Sequence, residues 1–363
     1  MQINDEKLIF FRNFAVKMAN LHIFNPEHDI ALASNLANFT APHAGRQLRM
    51  DLGFLPAIWA KEGDYVLVDH VEYAEKACKR FRYRKCQRLV ETLPDSDIER
   101  ISVWGWDKAL KAQLKRKGVA EWLLPTDEQL EHIRQLSHRR TSARLLPLLQ
   151  TRGTVGESFE CKKPEEVETL LQKYGQIVLK APWSSSGRGL RFCDAARLVD
   201  SEKLIMYNWF RNLVERQGSV MVEPYYAKVK DFGMEFSADG QGNIHYEGLS
   251  LFHTVNGAYV GNILATERAK QEMLSRYIPV DFIGCIQEKI ISCLDLGDYA
   301  GPFGIDMMIV KSADGFLLHP CVEINLRRTM GHVALSLTPD DDEIVKVMRI
   351  ELTDHYKLKI NKL

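Results

Sequence analysis

The chain has 363 residues, which is enough for two or three domains that bury their cores without disulfide or metal cross-links. Lysine plus arginine and aspartate plus glutamate each total 48, so the formal net charge is zero and no overall basic field exists to hold a polyanion such as DNA. The 45% hydrophobic and 26% charged residues exclude a disordered chain, and no apolar run approaches the roughly 20 residues that span a bilayer. We therefore expect a globular protein whose partners are neither nucleic acids nor membranes.

Residues 1–20 do not have the pattern of a signal peptide. Arg12, Asn13 and Lys17 interrupt their apolar residues and no small-residue cleavage site follows, so we interpret them as a leader or a short helix. The seven cysteines are scattered and include no C-x-x-C pair, a distribution typical of neither a disulfide framework nor a zinc site. Reduced thiols in the cytoplasm are the simplest interpretation.

The first part of the chain alternates short apolar runs with helical stretches. Each apolar run ends in a polar loop, beginning at Asn25, Asp69 and Gly105. Alternation of strand and helix predicts an open parallel sheet, on which ligands bind at the carboxyl ends of the strands. We predict strands at 21–24, 65–68 and 101–104 and helices at 71–82 and 107–117.

The pattern changes after the charged, helix-forming stretch 126–149. A strand, a loop of small residues and a second strand predict a hairpin with a flexible tip, and short connections between the later strands predict antiparallel pairing. We predict helices at 201–217, 266–275 and 281–295, and strands at 177–180, 190–193, 219–223, 231–238, 243–253, 303–310 and 316–324.

The hairpin tip from Ser184 to Gly189 is a candidate phosphate site. Its small residues let backbone N–H groups approach an anion, and its glycines tolerate unusual dihedral angles. Lys180, at the end of the preceding strand, adds a compact cation. The loop lacks G-K-[ST] and opens no helix, so it is neither a Walker loop nor a dinucleotide fingerprint. The alternative is an exposed hairpin tip filled with polar residues.

A second candidate site is the pair of strands that carries Asp306 and the sequence Val-Glu-Ile-Asn. Glu323 and Asn325 are two residues apart, so they point to the same face of their strand. With Asp306 on the neighbouring strand they would form the all-oxygen ligand set that Mg²⁺ prefers beside nucleotide phosphates. Arg327 and Arg328 follow at once and could neutralise a transferring phosphoryl group. The alternative, a surface hairpin with alternating polar residues, accounts for Glu323 but not for this crowding.

A third candidate is the apolar strand that ends at Glu223 and Pro224, with Asp231 downstream. Such a segment could link two subdomains and present a carboxylate to the edge of an adenine base. An ordinary strand end would explain the same residues if they stood alone. The adenine contact therefore depends on the other two candidates.

The order of these three features resembles the ATP-grasp superfamily. The motifs Lys-Ala-Pro-Trp-Ser-Ser-Ser-Gly-Arg-Gly and Val-Glu-Ile-Asn-Leu-Arg carry the resemblance, which covers about residues 136–335. It implies an α/β and α+β architecture in which two α+β subdomains, a lid at 136–218 and a metal-binding part at 219–363, clasp ATP after a Rossmann-like pre-ATP-grasp domain at 21–135. Members mostly join a carboxylate to an amine or thiol through an acyl-phosphate, so the resemblance implies a C–N or C–S ligase that releases ADP and phosphate.

The resemblance also implies roles for individual residues. Lys180 would contact the nucleotide phosphates, Arg327 would face the acyl-phosphate, and Arg139, with Arg144 as the alternative, would be the first phosphate cation. ATP and a divalent cation, Mg²⁺ or else Mn²⁺, are the implied cofactors. The other implied contacts are the lid residues Ser184, Ser185, Ser186, Gly187 and Gly189, Glu223 and the Tyr225 backbone at the adenine, Asp231 at the ribose, and Asp306, Glu323 and Asn325 at the metal.

The substrates would be a small-molecule carboxylate and a nucleophile, for which the sequence offers a few candidate residues. Glu27 or His28, at the first strand end, could bind an amine or a carboxylate, whereas the alternative is a helix whose cap is Asn25 or Asp29. The remaining candidates are His253 with Asn256, which could line the cleft or be structural, and Arg328.

Two other functions stay open at this point. A kinase on the same fold would phosphorylate its substrate without ligation, and a nucleotide-binding protein would show no turnover. The complete set of predicted metal and phosphate residues favours turnover. The oligomeric state is not readable from the sequence, and a homo-oligomer stays open.

Overall fold

The structure, a computed structural model, describes residues 19–80, 88–94, 98–184, 189–255 and 258–362. Of the expected leader at 1–20, all but Ala19 and Asn20 lies outside these residues. Within the described ranges, every helix is too short or too polar to traverse a lipid bilayer.

A parallel sheet forms the N-terminal domain, as the alternation of strands and helices predicted. Its strands are β1 (Ala19–Ile23), β2 (Tyr65–Leu67), β3 (Arg88–Val90) and β4 (Ile98–Val103), in the order β3-β2-β1-β4. Strand β3 was not predicted, because it is only three residues long and half exposed. The helices around the sheet are α1 (His28–Ser34), α2 (His43–Leu52), α3 (Val71–Arg80) and α4 (Lys108–Arg116), with 3₁₀ turns at Leu55–Ile58 and Glu121–Leu123.

The charged stretch predicted at 126–149 forms two helices, α5 (Asp127–Leu136) and α6 (Arg140–Leu149). Helix α5 begins at a capping box in which the Thr126 hydroxyl accepts from the backbone of Gln129 and the Gln129 side chain accepts from Thr126. The break at residues 137–139 puts Arg139 at the start of α6. This break directs the Arg139 side chain towards the strands that follow.

A second sheet, which we call the lid sheet, contains β5 (Phe159–Cys161), β6 (Gln176–Lys180), β7 (Leu190–Asp194) and β8 (Val220–Pro224) in the order β5-β8-β6-β7. All its pairings are antiparallel. Helices α7 (Pro164–Tyr174) and α8 (Asp200–Gln217) cover one face, where Leu179 and Phe210 are buried. Strand β8 follows the predicted boundary at residue 218, yet it hydrogen-bonds to β6 and so lies in the lid sheet.

The third sheet contains β9 (Lys228–Asp239), β10 (Ile244–Ser250), β13 (Ala300–Ser312) and β14 (Gly315–Asn325), in the antiparallel order β10-β9-β13-β14. Helices α9 (Glu267–Ser275) and α10 (Val280–Cys293) contribute to the same core. On β13 the fully buried Ile305 and Met307 point into that core, so Asp306 between them faces the opposite side of the sheet. The period of the strand therefore brings a carboxylate to the cleft.

A fourth sheet corrects the prediction of one strand at 243–253. The chain leaves β10 at Ser250 and begins β11 (Phe252–Val255), which pairs with β12 (Ala258–Leu264) in the order β11-β12-β15-β16, with β15 at Lys346–Leu352 and β16 at Tyr356–Lys362. Helix α11 (Met330–Leu335) follows β14. Side chains of this sheet and α11, among them Met348 and Val333, share a core with Phe24 and Leu52 of the N-terminal domain. This packing holds the end of β14 beside the end of β1.

Candidate nucleotide and metal site

Two carboxylates face each other across neighbouring strands in the cleft. Asp306 of β13 is the direct register partner of Glu323 of β14, and Asn325, two residues further on, hydrogen-bonds to Asp306. Burial, followed by the charges of Glu323 and Glu235, raises the pKa of Asp306 to about 8. The structure therefore brings the three predicted metal ligands together, in a place where a nearby cation would relieve repulsion between like charges.

This donor set fits a divalent cation that keeps other oxygen ligands. Among the residues that the structure describes, no group of three or more His, Cys, Asp or Glu side chains is arranged to hold a metal. The chain supplies two carboxylates and one amide here, which is far from a complete protein cage. Mg²⁺ is bound in this manner, through one or two carboxylates with phosphate oxygens and water, and carboxylate sites also suit Mn²⁺.

Arg139 connects β13 and β14, which carry the predicted metal ligands and which we call the metal strands, to the start of the lid loop. Its guanidinium contacts Glu323 Oε1 at 2.7 Å, the Ser184 hydroxyl at 2.8 Å and the carbonyl oxygen of Ala181 at 2.5 Å. Arg144, the alternative in the sequence, is exposed on α6. The guanidinium of Arg139 therefore touches both a predicted metal ligand and the start of the lid loop.

Lys180 and Glu223 form a buried ion pair between β6 and β8. Lys180 Nζ lies 2.5 Å from Glu223 Oε2, and the Ser158 hydroxyl donates to the other oxygen at 3.3 Å. The pair allows both charges to be buried at the cleft. Beside it, the Tyr225 amide donates to the Gln176 carbonyl at 2.9 Å, which leaves the Tyr225 carbonyl as its backbone group for a base.

His319, which is not among the candidate residues of the sequence, is completely buried near this ion pair. Burial lowers the pKa of its imidazole to about 4, and within the described ranges neither ring nitrogen has a hydrogen-bond partner. The ring packs against Tyr226 with centroids 5.5 Å apart. Nothing in the strand pattern marks His319, because polar and apolar residues alternate there irregularly.

The lid loop is described only at its two ends. Ser185, Ser186 and Gly187 lie outside the described residues. A side chain at Gly189 would come within 2.5 Å of the Ser184 Cβ, and the Gly189 carbonyl accepts from the Ala181 amide at 2.8 Å. The close approach of the two loop ends, at Ser184 and position 189, therefore requires glycine at position 189. The carboxylate of Asp231, which is expected to contact the ribose, pairs with Lys228 Nζ at 2.6 Å.

Arg327 connects the metal strands to the N-terminal domain. Its guanidinium makes two hydrogen bonds of 2.8 Å to the Asp29 carboxylate and one of 3.0 Å to Asn325 Oδ1. Burial is the largest single influence on Asp29 and opposes its ionisation, but the charge and hydrogen bonds of Arg327, together with nearby positive charges, hold the Asp29 pKa below its usual value. A bidentate pair of this type fixes the guanidinium plane beside the metal ligands.

The helix-cap interpretation of the first strand end is wrong. Glu27 occupies the position before α1 without a capping side-chain bond, and Asp29 binds Arg327 instead. The Asn25 amide donates to the Gly105 carbonyl at 2.7 Å, which ties β1 to the loop after β4. His28 is buried, with Nδ1 3.4 Å from an Asp107 carboxylate oxygen. Three consecutive side chains, 27 to 29, therefore make three separate contacts.

Within the described ranges, the side chains of Arg328 and His253 form no hydrogen bond or ion pair with the predicted metal or phosphate residues. The Arg328 guanidinium stacks over the Trp59 ring at 4.5 Å from its centroid, in the interface with the N-terminal domain. His253 is exposed on β11, and Asn256 lies outside the described residues. Arg328 therefore acts in packing here.

Another buried carboxylate, also missed, lies on the same face of the third sheet as Asp306. Glu235 of β9 accepts from the Thr329 hydroxyl at 2.8 Å and lies 3.0 Å from Nδ1 of His332. A Cβ on Gly331 would overlap a Glu235 oxygen, so only glycine fits there. The charge of Glu235 contributes to the raised pKa of Asp306.

We expect acid to destabilise the fold through His138, which precedes Arg139. Burial, then the charges of Arg140 and other arginines, lowers the pKa of this imidazole to about 3 from 6.5. The folded chain keeps it neutral while the unfolded chain protonates it, so its contribution is complete above pH 6.5 and is lost as the pH falls towards 3. At pH 5 the loss should reach about 2 kcal/mol.

Urea unfolding of the wild type and of His138→Gln at several pH values measures this effect. The difference between the two free energies of unfolding cancels the other titrating groups. A difference that does not change between pH 7.5 and pH 5 would contradict the assignment.

The chain matches known proteins in structure but not in sequence-based comparisons. No family model matches the chain, and no curated protein matches it. Among solved structures, the biotin carboxylase of Campylobacter jejuni in complex with β-γ-ATP aligns over 93% of this chain and 76% of its own, with 13% identity and a TM-score of 0.50. This likeness shows that the chain has the ATP-grasp fold, as the motifs predicted.

Two further structures of similar size align less closely. An N5-carboxyaminoimidazole synthetase from Staphylococcus aureus, complexed with ADP, covers 94% of this chain and 84% of its own at 12% identity and a TM-score of 0.49. The biotin carboxylase domain of Hydrogenobacter thermophilus 2-oxoglutarate carboxylase, with MgADP and bicarbonate, covers 83% and 72% at 14% identity and a TM-score of 0.48.

Proposed function

We propose that this protein is an ATP- and Mg²⁺-dependent ligase that activates a substrate carboxylate as an acyl-phosphate for attack by an amine or another nucleophile. The observation that carries the proposal is the meeting of Asp306, Glu323 and Asn325 with two guanidiniums, Arg139 on one side and Arg327 on the other. A carboxylate pair flanked by cations suits phosphoryl transfer, which depends on positioning and charge neutralisation. We place the reaction in the cytoplasm, because of the scattered cysteines.

Each subdomain contributes part of the nucleotide site. Asp306, Glu323 and Asn325 would hold the divalent cation, which when bound neutralises charge on the transferring phosphoryl group. Lys180 and Arg139 would bind the phosphates from the lid side. Glu223 and the Tyr225 carbonyl would accept from the adenine amino group, and Asp231 would bind the ribose.

The reaction would then proceed in two displacements. An oxygen of the substrate carboxylate attacks the γ-phosphorus, the bond to the β-phosphate oxygen breaks, and ADP leaves. The nucleophile next attacks the acyl carbon, the carbon–oxygen bond to phosphate breaks, and phosphate leaves as the nucleophile loses its proton. Arg327, held in one plane by Asp29, would stabilise the negative charge of the acyl-phosphate. No protein nucleophile takes part.

Hydroxylamine trapping tests the reaction class. Incubation with MgATP, candidate carboxylates and hydroxylamine should yield a hydroxamate together with ADP, since hydroxylamine attacks an acyl-phosphate. A stable phosphorylated product without hydroxamate would indicate a kinase instead. Calorimetry with MgATP tests the binding step by itself, and absence of binding would remove the proposal.

We expect the change Lys180→Met to weaken ATP binding. One charged hydrogen bond to phosphate contributes about 1.5–3 kcal/mol, so the Kd of ATP should rise about 10- to 100-fold. Calorimetric titration with MgATP measures it, and the exposed Lys162→Met is the matched control.

The loss of Lys180 also leaves Glu223 buried without its ion-pair partner. The double variant Lys180→Met, Glu223→Gln removes that unpaired charge and separates weak binding from poor folding. A folded double variant that binds ATP as tightly as the wild type would contradict the phosphate role of Lys180.

A further inference from the structure

The N-terminal domain contains a cavity of about 360 Å³ that the nucleotide site does not use. It lies at the carboxyl-terminal edge of the parallel sheet, where the loops after β1, β2 and β4 meet, which is the usual ligand position on such sheets. Its volume is within the range of small-molecule sites. Its charged lining consists of three carboxylates and three guanidiniums, those of Glu27, Asp69, Asp107, Arg46, Arg49 and Arg116.

The cationic side of the cavity can accept an anion. Arg46 and Arg116 are both exposed at the cavity, and neither forms an ion pair with any acidic side chain in the described part of the chain. The Arg46 guanidinium also donates to the carbonyl of Ala41 at 2.5 Å, which fixes its position. Planar guanidiniums match the oxygens of a carboxylate or a phosphate monoester. Two of them facing one cavity favour an anionic group in the ligand.

The inner side of the cavity presents an acceptor. Glu27 Oε1 is held by Arg49 at 3.0 Å, but Glu27 Oε2 is buried and has no hydrogen-bond partner within the described ranges. A buried carboxylate oxygen without a partner is costly, so a ligand that donates a hydrogen bond there would be bound favourably. Burial also raises the pKa of Glu27, because it disfavours the charged carboxylate. A positively charged group of a ligand beside Glu27 would offset this effect. The amino group of a ligand is the matching donor.

The segment at the start of α1 links the cavity to the proposed reaction centre. Glu27 faces the cavity, while Asp29, only two residues later in the chain, holds Arg327 beside the metal strands. Adjacent Cα atoms are about 3.8 Å apart, so the two carboxylates belong to positions separated by less than about 8 Å along the backbone. Positions 27 and 29 therefore connect the cavity to Arg327, the guanidinium proposed to face the acyl-phosphate.

We propose that this cavity binds the nucleophile of the ligase reaction, a small amine that also carries a carboxylate or phosphate group, with the amine at Glu27 and the anion at Arg46 and Arg116. The proposal rests on the proposed function and names the class of its second substrate. The carboxylate and the phosphate ester share one binding chemistry, and the test separates them.

Binding of two probe molecules tests the proposal. β-Alanine carries an amine and a carboxylate, phosphoethanolamine carries an amine and a phosphate, and ethanolamine lacks the anion. We expect one of the first two to bind the full-length protein at concentrations up to about 10 mM in saturation-transfer NMR, and ethanolamine to bind at least about tenfold more weakly. Binding of β-alanine would identify the carboxylate class and binding of phosphoethanolamine the phosphate class.

Substitutions of the cavity residues test whether the probe binds in the cavity. The double variant Arg46→Gln, Arg116→Gln should raise the probe Kd at least about tenfold, Glu27→Gln should also raise it, and the exposed Arg276→Gln should leave it unchanged. Binding of neither probe, or binding that is insensitive to Arg46 and Arg116, would overturn the proposal. Calorimetry with MgATP on the wild type reports the proposed function separately, because that measurement does not involve the cavity.

Discussion

Replacement of Glu323 by glutamine is expected to lower kcat for ATP turnover at least about a hundredfold, because it removes a metal ligand and the partner of Arg139 in one step. The carboxamide keeps the shape of the side chain and one acceptor oxygen, so the change removes the charge and one of the two acceptors. Release of ADP or phosphate in the presence of MgATP and an active carboxylate measures it.

Two controls make this result interpretable. The exposed Glu351→Gln on β15 removes the same charge far from the cleft contacts and should keep wild-type turnover. Thermal unfolding of Glu323→Gln should be close to that of the wild type, since Glu323 is partly exposed and its loss also relieves the repulsion that acts on Asp306. Unaltered turnover in a folded Glu323→Gln would remove the magnesium assignment.

The two-residue repeat of side-chain direction along a strand made part of this site predictable. Residues two apart on a strand share a face, so the pairing of Glu323 and Asn325 follows from the sequence alone, as does the orientation of Asp306 between two apolar neighbours. The parallel sheet also follows from local signals, because each apolar run ends in polar turn residues. Both features depend on contacts within a few residues of chain.

Contacts between distant parts of the chain were not predictable in the same way. Arg327 and Asp29 are 298 positions apart, and no local pattern indicates that they meet. The change from one sheet to another within 243–253 was not predictable, because only tertiary pairing separates β10 from β11. Glu235 was missed for the same reason, since its partners Thr329 and His332 come from a turn almost a hundred residues later.

The adjacent residues Arg327 and Arg328 show a further limit of prediction from sequence. Two adjacent arginines suggested one shared role at a phosphoryl group, but the backbone directs them to opposite sides. Arg327 reaches Asp29, whereas Arg328 lies over Trp59 and its amide donates to the Trp104 carbonyl at 2.8 Å. The chain bends at Arg327, just after β14 ends, so two arginines adjacent in sequence do not share one site.

Removal of the Arg327 side chain is expected to destabilise the protein and to abolish ligation. In Arg327→Ala the Asp29 carboxylate stays buried without its partner, and such a loss costs about 3–5 kcal/mol. Asp29→Ala should cost a similar amount, because it leaves the guanidinium unpaired. Urea unfolding of the two single variants and of the double variant measures the coupling, and product formation is assayed in parallel.

The double variant separates structure from chemistry. If the pair is mainly a buried ion pair, the double variant Asp29→Ala, Arg327→Ala should lose much less free energy of unfolding than the sum of the two single losses, since no charge is left unpaired. Ligation should nevertheless stay absent, because the acyl-phosphate would still lack its guanidinium. The exposed pair Arg268 and Asp342 provides the control cycle and should show much weaker coupling. Recovery of ligation together with stability would instead assign Arg327 a purely structural role, and the reaction would then depend on Arg139 and Lys180 as its cations.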